Sequence, residues 1–218
     1  YKRQDLDKKY NSHLYSGILG FFMSQCHKRL ENFNNNNKHF NKILEIGAGS
    51  APHYSYIKHS YEEYHIAETS DYAEDFHKDN PKVKLIKYDG RKLPYENETF
   101  DRIIISHCLE HILSPEEFIQ EMMSKLNKGG VLSISLPTDP GLAWRLGRLF
   151  IRFFTIKKTY NISGEEFNYM NATEHVNSIF NLISIIRYNY KGKFEEDFYP
   201  LKLKMSDINL FYNVHIHK

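Results

Sequence analysis

The pentapeptide HCLEH, residues 107–111, contains two histidines four positions apart with a glutamate between them. Read alone, it matches the inverted zinc-peptidase pattern, in which the imidazoles hold the metal and the carboxylate activates water. That arrangement needs a helix, so that His107 and His111 face one ion. The flanking residues instead predict a strand that ends at residue 106 and a helix that begins after Ser114. Only about one helical turn fits between them, and no third ligand is evident, so we expect no metal site.

The residues around this pentapeptide alternate between strand and helix patterns. Short apolar runs predict strands at 42–47, 63–69, 83–89, 100–106 and 130–137, followed by β-like segments near 188–199 and 209–217. Near-continuous apolar runs are typical of parallel strands that are covered on both faces. The spacing of apolar residues predicts helices at 13–33, 115–127 and 172–187. We expect Ser114 to cap the second helix, with Glu117 completing a capping box. The alternation favours a doubly wound α/β fold.

The first predicted strand runs into the sequence LEIGAGSAP, residues 44–52. Gly47 and Gly49 allow the backbone to turn sharply and to approach a ligand closely. Carboxylates lie beside this turn at Glu45 and at the ends of the next two strands: Glu68, where a ribose diol is held, and Asp89, where an adenine amino group can donate. A nicotinamide dinucleotide and S-adenosylmethionine compete as the cofactor. Pro52 occupies the place of the last small residue of a dinucleotide fingerprint, which disfavours the dinucleotide.

The composition excludes several classes of function. The chain has 218 residues and a net charge of +2, which argues against a nucleic-acid partner because such proteins usually carry a strong basic excess. Two cysteines are too few for a disulfide framework, which favours a reducing, cytoplasmic setting. No apolar run approaches the roughly 18 residues of a membrane span, and the N-terminus lacks the layout of a signal peptide. Nothing in the composition indicates an oligomeric state.

These motifs resemble those of class I S-adenosylmethionine-dependent methyltransferases, in particular the branch of ubiquinone and menaquinone methyltransferases. The similar segments are ILEIGAGSAPHY, HIAETS, VKLIKYDGRKLPYENETFDRIIISHCLEHI and MMSKLNKGGVLSISLP, within about residues 42–137. The resemblance implies a seven-stranded, mostly parallel, Rossmann-like sheet whose last strand is antiparallel, with S-adenosylmethionine as cofactor. It implies that the cofactor is bound by Glu45, Gly47, Ala48, Gly49, Glu68, Thr69, Asp89, Gly90, Arg91 and His107. Ala51 stands where a third glycine is common, and we expect only altered packing there.

Methyl transfer to an oxygen benefits from a general base, and histidine is suited to that role near pH 7. The candidates are His107, His111 and His175. One interpretation is that His107 lies against the cofactor and His111 faces the acceptor. Alternatively, Glu110 and His111 form a hydrogen-bonded pair that only shapes the loop, and His175 belongs to the start of a helix.

Residues 138–171 lie where this family commonly inserts substrate-binding elements. Arg145, Arg148 and Arg152 are spaced to share one helical face within an apolar stretch that also contains Trp144. We expect these four residues to contact a small-molecule acceptor that is an anion, such as a nucleotide sugar, a polyprenyl phosphate or a lipid headgroup. The alternative is a helical lid with a solvated basic side. Residues 142–158 are also a candidate for peripheral membrane contact.

The segments LPTDPGLAWRLGRLF and EHVNSIFNLISIIRYNY are similar to methyltransferases encoded in bacterial surface-polysaccharide gene clusters. That resemblance implies O-methylation of a sugar or a sugar-linked intermediate. The alternatives are a quinone or lipid-type acceptor and a non-catalytic subunit that binds S-adenosylmethionine. We expect one methyltransferase domain over 1–218, composed of an N-terminal helical extension (1–41), a cofactor-binding core (42–137), a substrate lid (138–171) and a C-terminal helix with two strands (172–218).

Overall fold

The computed structural model describes residues 15, 17–32, 38–69, 80–88, 90–154 and 162–218. Seven strands form one sheet: β1 (His39–Ile46), β2 (Ser60–Glu68), β3 (Val83–Lys87), β4 (Phe100–Ser106), β5 (Leu126–Pro137), β6 (Phe194–Tyr199) and β7 (Phe211–His217). Their order is β3-β2-β1-β4-β5-β7-β6. Strands β1 to β5 pair in parallel, and β7 is antiparallel to both of its neighbours. This topology confirms the predicted doubly wound sheet with its antiparallel last strand.

The described α-helices are α1 (Gly17–Leu30), α2 (Pro115–Lys125), α3 (Leu142–Phe154), α4 (Gly164–Glu174) and α5 (Ile179–Asn189). Three short 3-10 helices span Pro52–Tyr56, Leu109–His111 and Ser206–Ile208. In the part of the chain that the structure describes, no helix is long and apolar enough to cross a membrane.

The helix predicted at 172–187 is wrong, because this stretch holds the end of α4 and most of α5. Each of the two helices begins at its own serine cap, and the second cap lies in the break between them. Ser163 and Glu166 form a capping box at the start of α4, and the Ser178 hydroxyl accepts a hydrogen bond from Asn181 N at the start of α5. Apolar spacing alone did not reveal this break, since the apolar face continues across it.

The cap predicted for α2 also differs from the structure. Ser114 occupies the N-cap position, but its side chain makes no capping hydrogen bond. The box predicted with Glu117 is therefore absent, and the first turn of α2 relies on Pro115, whose fixed φ suits that position.

Burial on both faces explains the apolar strand sequences. Ile103, Ile104 and Ile105 of β4 are each 0% exposed. Ile103 and Ile105 belong to the core that α2 and α5 cover, whereas Ile104 packs on the opposite face with Leu30 of α1. Full burial of such a side chain contributes roughly 1.5–3 kcal/mol. This two-sided core holds the carboxyl ends of the strands in fixed register.

A buried ionic cluster fastens α1 to the sheet. Arg102 of β4, Glu31 after α1 and His53 are each 0% exposed. Glu31 Oε1 lies 2.7 Å from Arg102 NH2 and 3.0 Å from His53 Nε2. Burial opposes ionisation of Glu31, but Arg102 and His53 outweigh it and hold the pKa of the carboxyl far below its usual range. The cluster therefore joins α1, β4 and the segment that follows the glycine turn.

We predict that Arg102→Met lowers the free energy of unfolding by about 3–5 kcal/mol, because it leaves the Glu31 carboxylate buried without its main partner. Urea unfolding followed by circular dichroism measures the loss. The double variant Arg102→Met/Glu31→Gln should recover part of it, since the uncompensated charge is then removed.

Lys84→Met is the matched control, because Lys84 forms a 2.6 Å ion pair with Glu63 in which the lysine side chain is 50% exposed. An exposed pair contributes about 1 kcal/mol or less. Equal losses in the two single variants would contradict the structural role of the buried cluster.

Candidate functional site

The carboxyl ends of β1, β2 and β4 open into a first cleft of about 340 Å³. Most of the predicted cofactor residues line it: Glu45, Gly47, Ala48, Gly49, Glu68, Thr69, Gly90 and His107. Arg91 is exposed and does not line the first cleft. Asp89 lies outside the described residues. The structure therefore brings together residues from four separate loops that the sequence associated with one ligand.

The glycine turn after β1 is shaped by a close contact. Gly47 has a φ of +64°, and a Cβ at this position would lie 2.3 Å from Cys108 Sγ. Only glycine therefore fits beside the HCLEH segment. Ala51, further along the turn, adopts a left-handed φ of 53°, which costs a non-glycine residue roughly 1–2 kcal/mol. Ala51 therefore carries a conformational cost in addition to any change in packing, and that cost was not predicted from the sequence.

Glu68 links this turn to the end of β2. Its Oε2 accepts a hydrogen bond from Gly49 N at 2.7 Å, and its Oε1 accepts one from Thr69 N at 2.8 Å. These contacts hold the carboxylate at the edge of the first cleft. A carboxylate in this position can accept two hydrogen bonds from a diol.

The floor of the first cleft contains two buried polar side chains. Glu45 is 1% exposed, and its Oε2 accepts a hydrogen bond of 2.5 Å from the Tyr64 hydroxyl. Burial raises the pKa of Glu45 despite that bond. Ser106 Oγ, at the end of β4, is buried and has no hydrogen-bond partner among the described residues. An unsatisfied hydroxyl beside open backbone groups fits a polar ligand such as the aminocarboxypropyl arm or ribose of S-adenosylmethionine.

The first residue of the HCLEH segment, His107, has different surroundings from the residues that follow it. His107 has a φ of 53°, and its ring lies 3.8 Å from Cys26 Sγ of α1, measured from Nε2. Burial lowers the pKa of His107 to about 3, so this imidazole is neutral at pH 7. The 3-10 turn Leu109–His111 follows. The metal-binding geometry of a zinc peptidase, which places both histidines on one helix, is not formed.

His111 instead approaches His175, with ring centroids 5.2 Å apart. His111 Nδ1 lies 2.7 Å from the Glu174 carbonyl oxygen, to which it donates. His175 Nδ1 lies 2.8 Å from Asp139 Oδ2. His175 was predicted at the beginning of a helix, but it is the C-cap of α4, because the predicted helix is interrupted there.

A second cleft of about 640 Å³ lies on the other side of His175. Its polar lining includes Arg145, Arg148, Arg152, Asp139, His175, Asn168, Asn171, Asn177, Ser178 and Asn181. Because His111 lines the first cleft and His175 the second, the two clefts meet at this histidine pair.

The predicted substrate residues separate into two groups. Arg145, Arg148 and Arg152 share the face of α3 that lines the second cleft. Arg148 forms an ion pair of 2.7 Å with Asp139, while Arg145 is exposed. Trp144 does not line this cleft, and its ring packs against Phe211 of β7 at a centroid distance of 6.0 Å. Trp144 and Arg145 are adjacent in the sequence, and adjacent residues of a helix point in different directions. Trp144 therefore lies on a different face of α3 from the three arginines.

Several residues of the clefts were missed by sequence reasoning. Tyr15, His27 and His53 line the first cleft from the N-terminal side, and they are joined by hydrogen bonds of 2.9 Å and 3.1 Å through His27. No local motif marks them. Asp139 could have been predicted as a cleft residue from the sequence. It lies just after β5, and ligands bind at the carboxyl ends of strands in such sheets.

Comparisons with known proteins agree with this architecture. Residues 44–134 match a family model described as a methyltransferase domain. No curated protein sequence matches the chain.

Similar solved structures include the plantazolicin methyltransferase BpumL in complex with a monoazolic desmethylPZN analogue and SAH, at 14% identity and a TM-score of 0.65, covering 99% of this chain and 90% of that one. A chain of the complex between the Haloferax volcanii Trm112 methyltransferase activator and a methyltransferase has 10% identity and a TM-score of 0.62, covering 98% and 93%. A protein from Listeria monocytogenes described as an S-adenosylmethionine-dependent methyltransferase has 12% identity and a TM-score of 0.58, covering 89% and 99%.

At identities this low, the similar structures show only that the fold is shared. The match to the methyltransferase domain is a match of sequence, and it extends from β1 to β5. The domain match over residues 44–134 and the fold around it together support an S-adenosylmethionine-dependent methyltransferase.

Proposed function

We propose that this methyltransferase binds S-adenosylmethionine in the first cleft and methylates an oxygen of an anionic sugar or sugar-linked intermediate in the second. We place the reaction in the cytoplasm, as a step in bacterial surface-polysaccharide biosynthesis. The observation that carries the proposal is the lining of the second cleft, in which arginines and asparagines surround a space that meets the first cleft at His111 and His175.

The cofactor roles follow from the positions around the first cleft. We assign the ribose to Glu68 and Thr69, and the methionine end to Glu45, Gly47, Ala48 and Gly49. We assign the adenine to the end of β3, where Gly90 lines the first cleft. The same role for Asp89 and Arg91 is proposed from the family resemblance alone. His107 is proposed to line the cofactor site as a neutral imidazole, because its low pKa makes it a weak base near pH 7.

The second cleft suits a hydroxyl-rich anion. Asparagine amides donate and accept hydrogen bonds, as sugar hydroxyls require, and guanidinium groups bind phosphate or carboxylate through paired donors. Arg145 forms no ion pair or hydrogen bond with another described side chain and is exposed at the cleft, so it is available to an acceptor. Arg152 lines the same wall. On this basis we assign residues 138–171 as the substrate lid.

The reaction is an in-line displacement in which the acceptor oxygen attacks the methyl carbon and the carbon–sulfur bond breaks, releasing S-adenosylhomocysteine. Positioning of the oxygen supplies much of the rate. The acceptor proton leaves at the junction of the clefts. Because Nδ1 of both His111 and His175 is already hydrogen-bonded, Nε2 is the atom of each ring that remains to take either a proton or a ligand.

An exposed apolar face on α3 favours a lipid-linked acceptor or a membrane surface. Leu146, Phe150 and Phe153 are 58%, 63% and 72% exposed, and their spacing places them along one side of the helix. An amphipathic helix with arginines beside such residues is suited to the interface of an anionic membrane. The same face would suit a quinone, which remains the second candidate acceptor.

We predict that Glu68→Ala weakens the binding of S-adenosylhomocysteine about 10- to 100-fold, because hydrogen bonds to a charged group are worth about 1.5–3 kcal/mol. Calorimetry measures the affinity, and thermal unfolding checks the fold. Glu62→Ala is the matched control, since Glu62 lies on the same strand and is exposed. Equal affinities in the two variants, or a wild type that binds a nicotinamide dinucleotide instead, would refute the assignment.

We predict that Arg145→Glu raises the KM for an anionic acceptor by about tenfold or more, because it replaces a favourable charge contact by a repulsive one. The affinity for S-adenosylhomocysteine should remain unchanged. Lys191→Glu, which makes the same charge change at an exposed turn, is the control.

The acceptor is found by assaying methyl transfer to nucleotide sugars, lipid-linked sugar phosphates, quinone precursors and a desmethylPZN analogue, the ligand of the similar BpumL structure. Transfer to the quinone precursors alone, or to the desmethylPZN analogue alone, would exclude the sugar assignment.

We predict that the double variant Leu146→Asp/Phe153→Asp loses binding to vesicles of phosphatidylcholine and phosphatidylglycerol, because burial of apolar surface drives interfacial binding. Co-sedimentation measures the bound fraction. Tyr188→Asp alters an 86% exposed aromatic side chain on α5 and should bind as the wild type does. Absence of binding by the wild type would exclude the membrane contact.

A further inference from the structure

Three side chains at the junction of the clefts have the composition of a metal site. Glu110, His111 and His175 each offer a ligand atom, and these atoms all lie within 4.8 Å of one another. Glu110 Oε1 is 3.9 Å from His111 Nε2. Ligands bonded at about 2.1 Å to a tetrahedral ion lie roughly 3.4 Å apart. Small rotations of the side chains would therefore bring all three atoms to bonding distance.

Both imidazoles are oriented as metal ligands usually are. A ligating histidine commonly donates its second ring N–H to a carbonyl or a carboxylate, which fixes the tautomer and raises the basicity of the other nitrogen. His111 Nδ1 donates to the Glu174 carbonyl at 2.7 Å, and His175 Nδ1 lies 2.8 Å from Asp139 Oδ2. In both rings Nε2 therefore carries the lone pair that a cation would take.

One carboxylate oxygen of Glu110 has no hydrogen-bond partner, and a cation could take that place. Glu110 is only 3% exposed, and its Oε2 accepts no hydrogen bond in the described part of the chain. A buried carboxylate oxygen without a partner is unfavourable. This unsatisfied oxygen is independent of the histidine geometry and indicates a missing positive group.

We propose that Glu110, His111 and His175 hold one divalent transition-metal ion of the zinc class. Two imidazoles favour such an ion over Mg²⁺ or Ca²⁺, which prefer oxygen ligands. Three protein ligands leave coordination positions open, as in catalytic zinc sites. The proposal departs from the expectation drawn from HCLEH. The third ligand comes from the end of α4, and His107 takes no part.

The role of the ion rests on the proposed function. It would bind the acceptor hydroxyl and lower its pKa, so that the O–H proton leaves to water, the oxygen–carbon bond forms and the carbon–sulfur bond breaks. Asp139 then acts as a positioning residue, because its carboxylate holds His175 on one oxygen and Arg148 on the other. The metal and the anion-binding wall of the second cleft are thereby connected.

Metal binding is measured on the purified protein after treatment with a chelator. Calorimetric titration with Zn²⁺ and the visible absorption of bound Co²⁺ should each show one equivalent. Glu110→Gln and His175→Ala should weaken the binding of Zn²⁺ by about 100-fold or more, while Asp139→Asn should weaken it about 10- to 100-fold. Titration with Mg²⁺ should show no comparable binding.

His107→Asn is the discriminating variant, because it alters the same pentapeptide and asparagine tolerates a left-handed φ. It should retain the metal. His39→Ala, an exposed histidine on β1, should do so as well. A wild type that binds no Zn²⁺, or variants of Glu110 and His175 that retain it, would overturn the proposal.

The affinity for S-adenosylhomocysteine separates this proposal from the cofactor assignment. Glu110→Gln should keep that affinity and a cooperative thermal transition, which excludes misfolding as the cause of metal loss. Chelation should abolish methyl transfer, and Zn²⁺ should restore it. Stoichiometric metal binding without methylation of any sugar would leave the metal site standing and refute the acceptor class.

Discussion

The buried carboxylate of Glu31 is the constraint on which the arrangement of the cofactor side depends. It lies at the end of α1, where Arg102 of β4 and His53 of the first 3-10 helix both contact it. An ionised group in an apolar core is tolerated only when its partners are fixed. The position of α1 is therefore coupled to that of the glycine turn, and His27 and Tyr15 extend the hydrogen-bonded chain into the first cleft.

Asp139 plays the corresponding part on the acceptor side. It is 6% exposed and holds His175 and Arg148 at the same time, while its carbonyl oxygen accepts a hydrogen bond from Ile179 N at the start of α5. Three elements after β5 are thus tied to one residue at the end of that strand. Displacement of α3 would move the anion-binding wall and the histidine pair together.

Prediction from the sequence succeeded where local spacing determines the structure. The apolar runs located the central strands, because strands such as β4 and β5 are buried on both faces and have near-continuous apolar sequences. The edge strands β3 and β6 are only partly buried, and the seven-stranded sheet was implied by the family resemblance. The glycines of the turn located the first cleft, since a close approach such as that of Gly47 to Cys108 excludes a side chain. Contacts between distant segments were not predictable in this way. The pairing of His111 with His175 spans the lid, and the capping box at Ser163 lies within it.

The HCLEH segment shows how one backbone angle decides what a motif can do. On a helix, residues 107 and 111 would share a face. Here the left-handed φ of His107 directs its ring toward α1, and the 3-10 turn that follows presents His111 to the end of α4. The two histidines of the segment therefore lie in different surroundings. His107 is neutral and lines the cofactor cleft. His111 and the backbone carbonyl of Glu110 meet partners more than sixty residues away, where the acceptor is expected to bind.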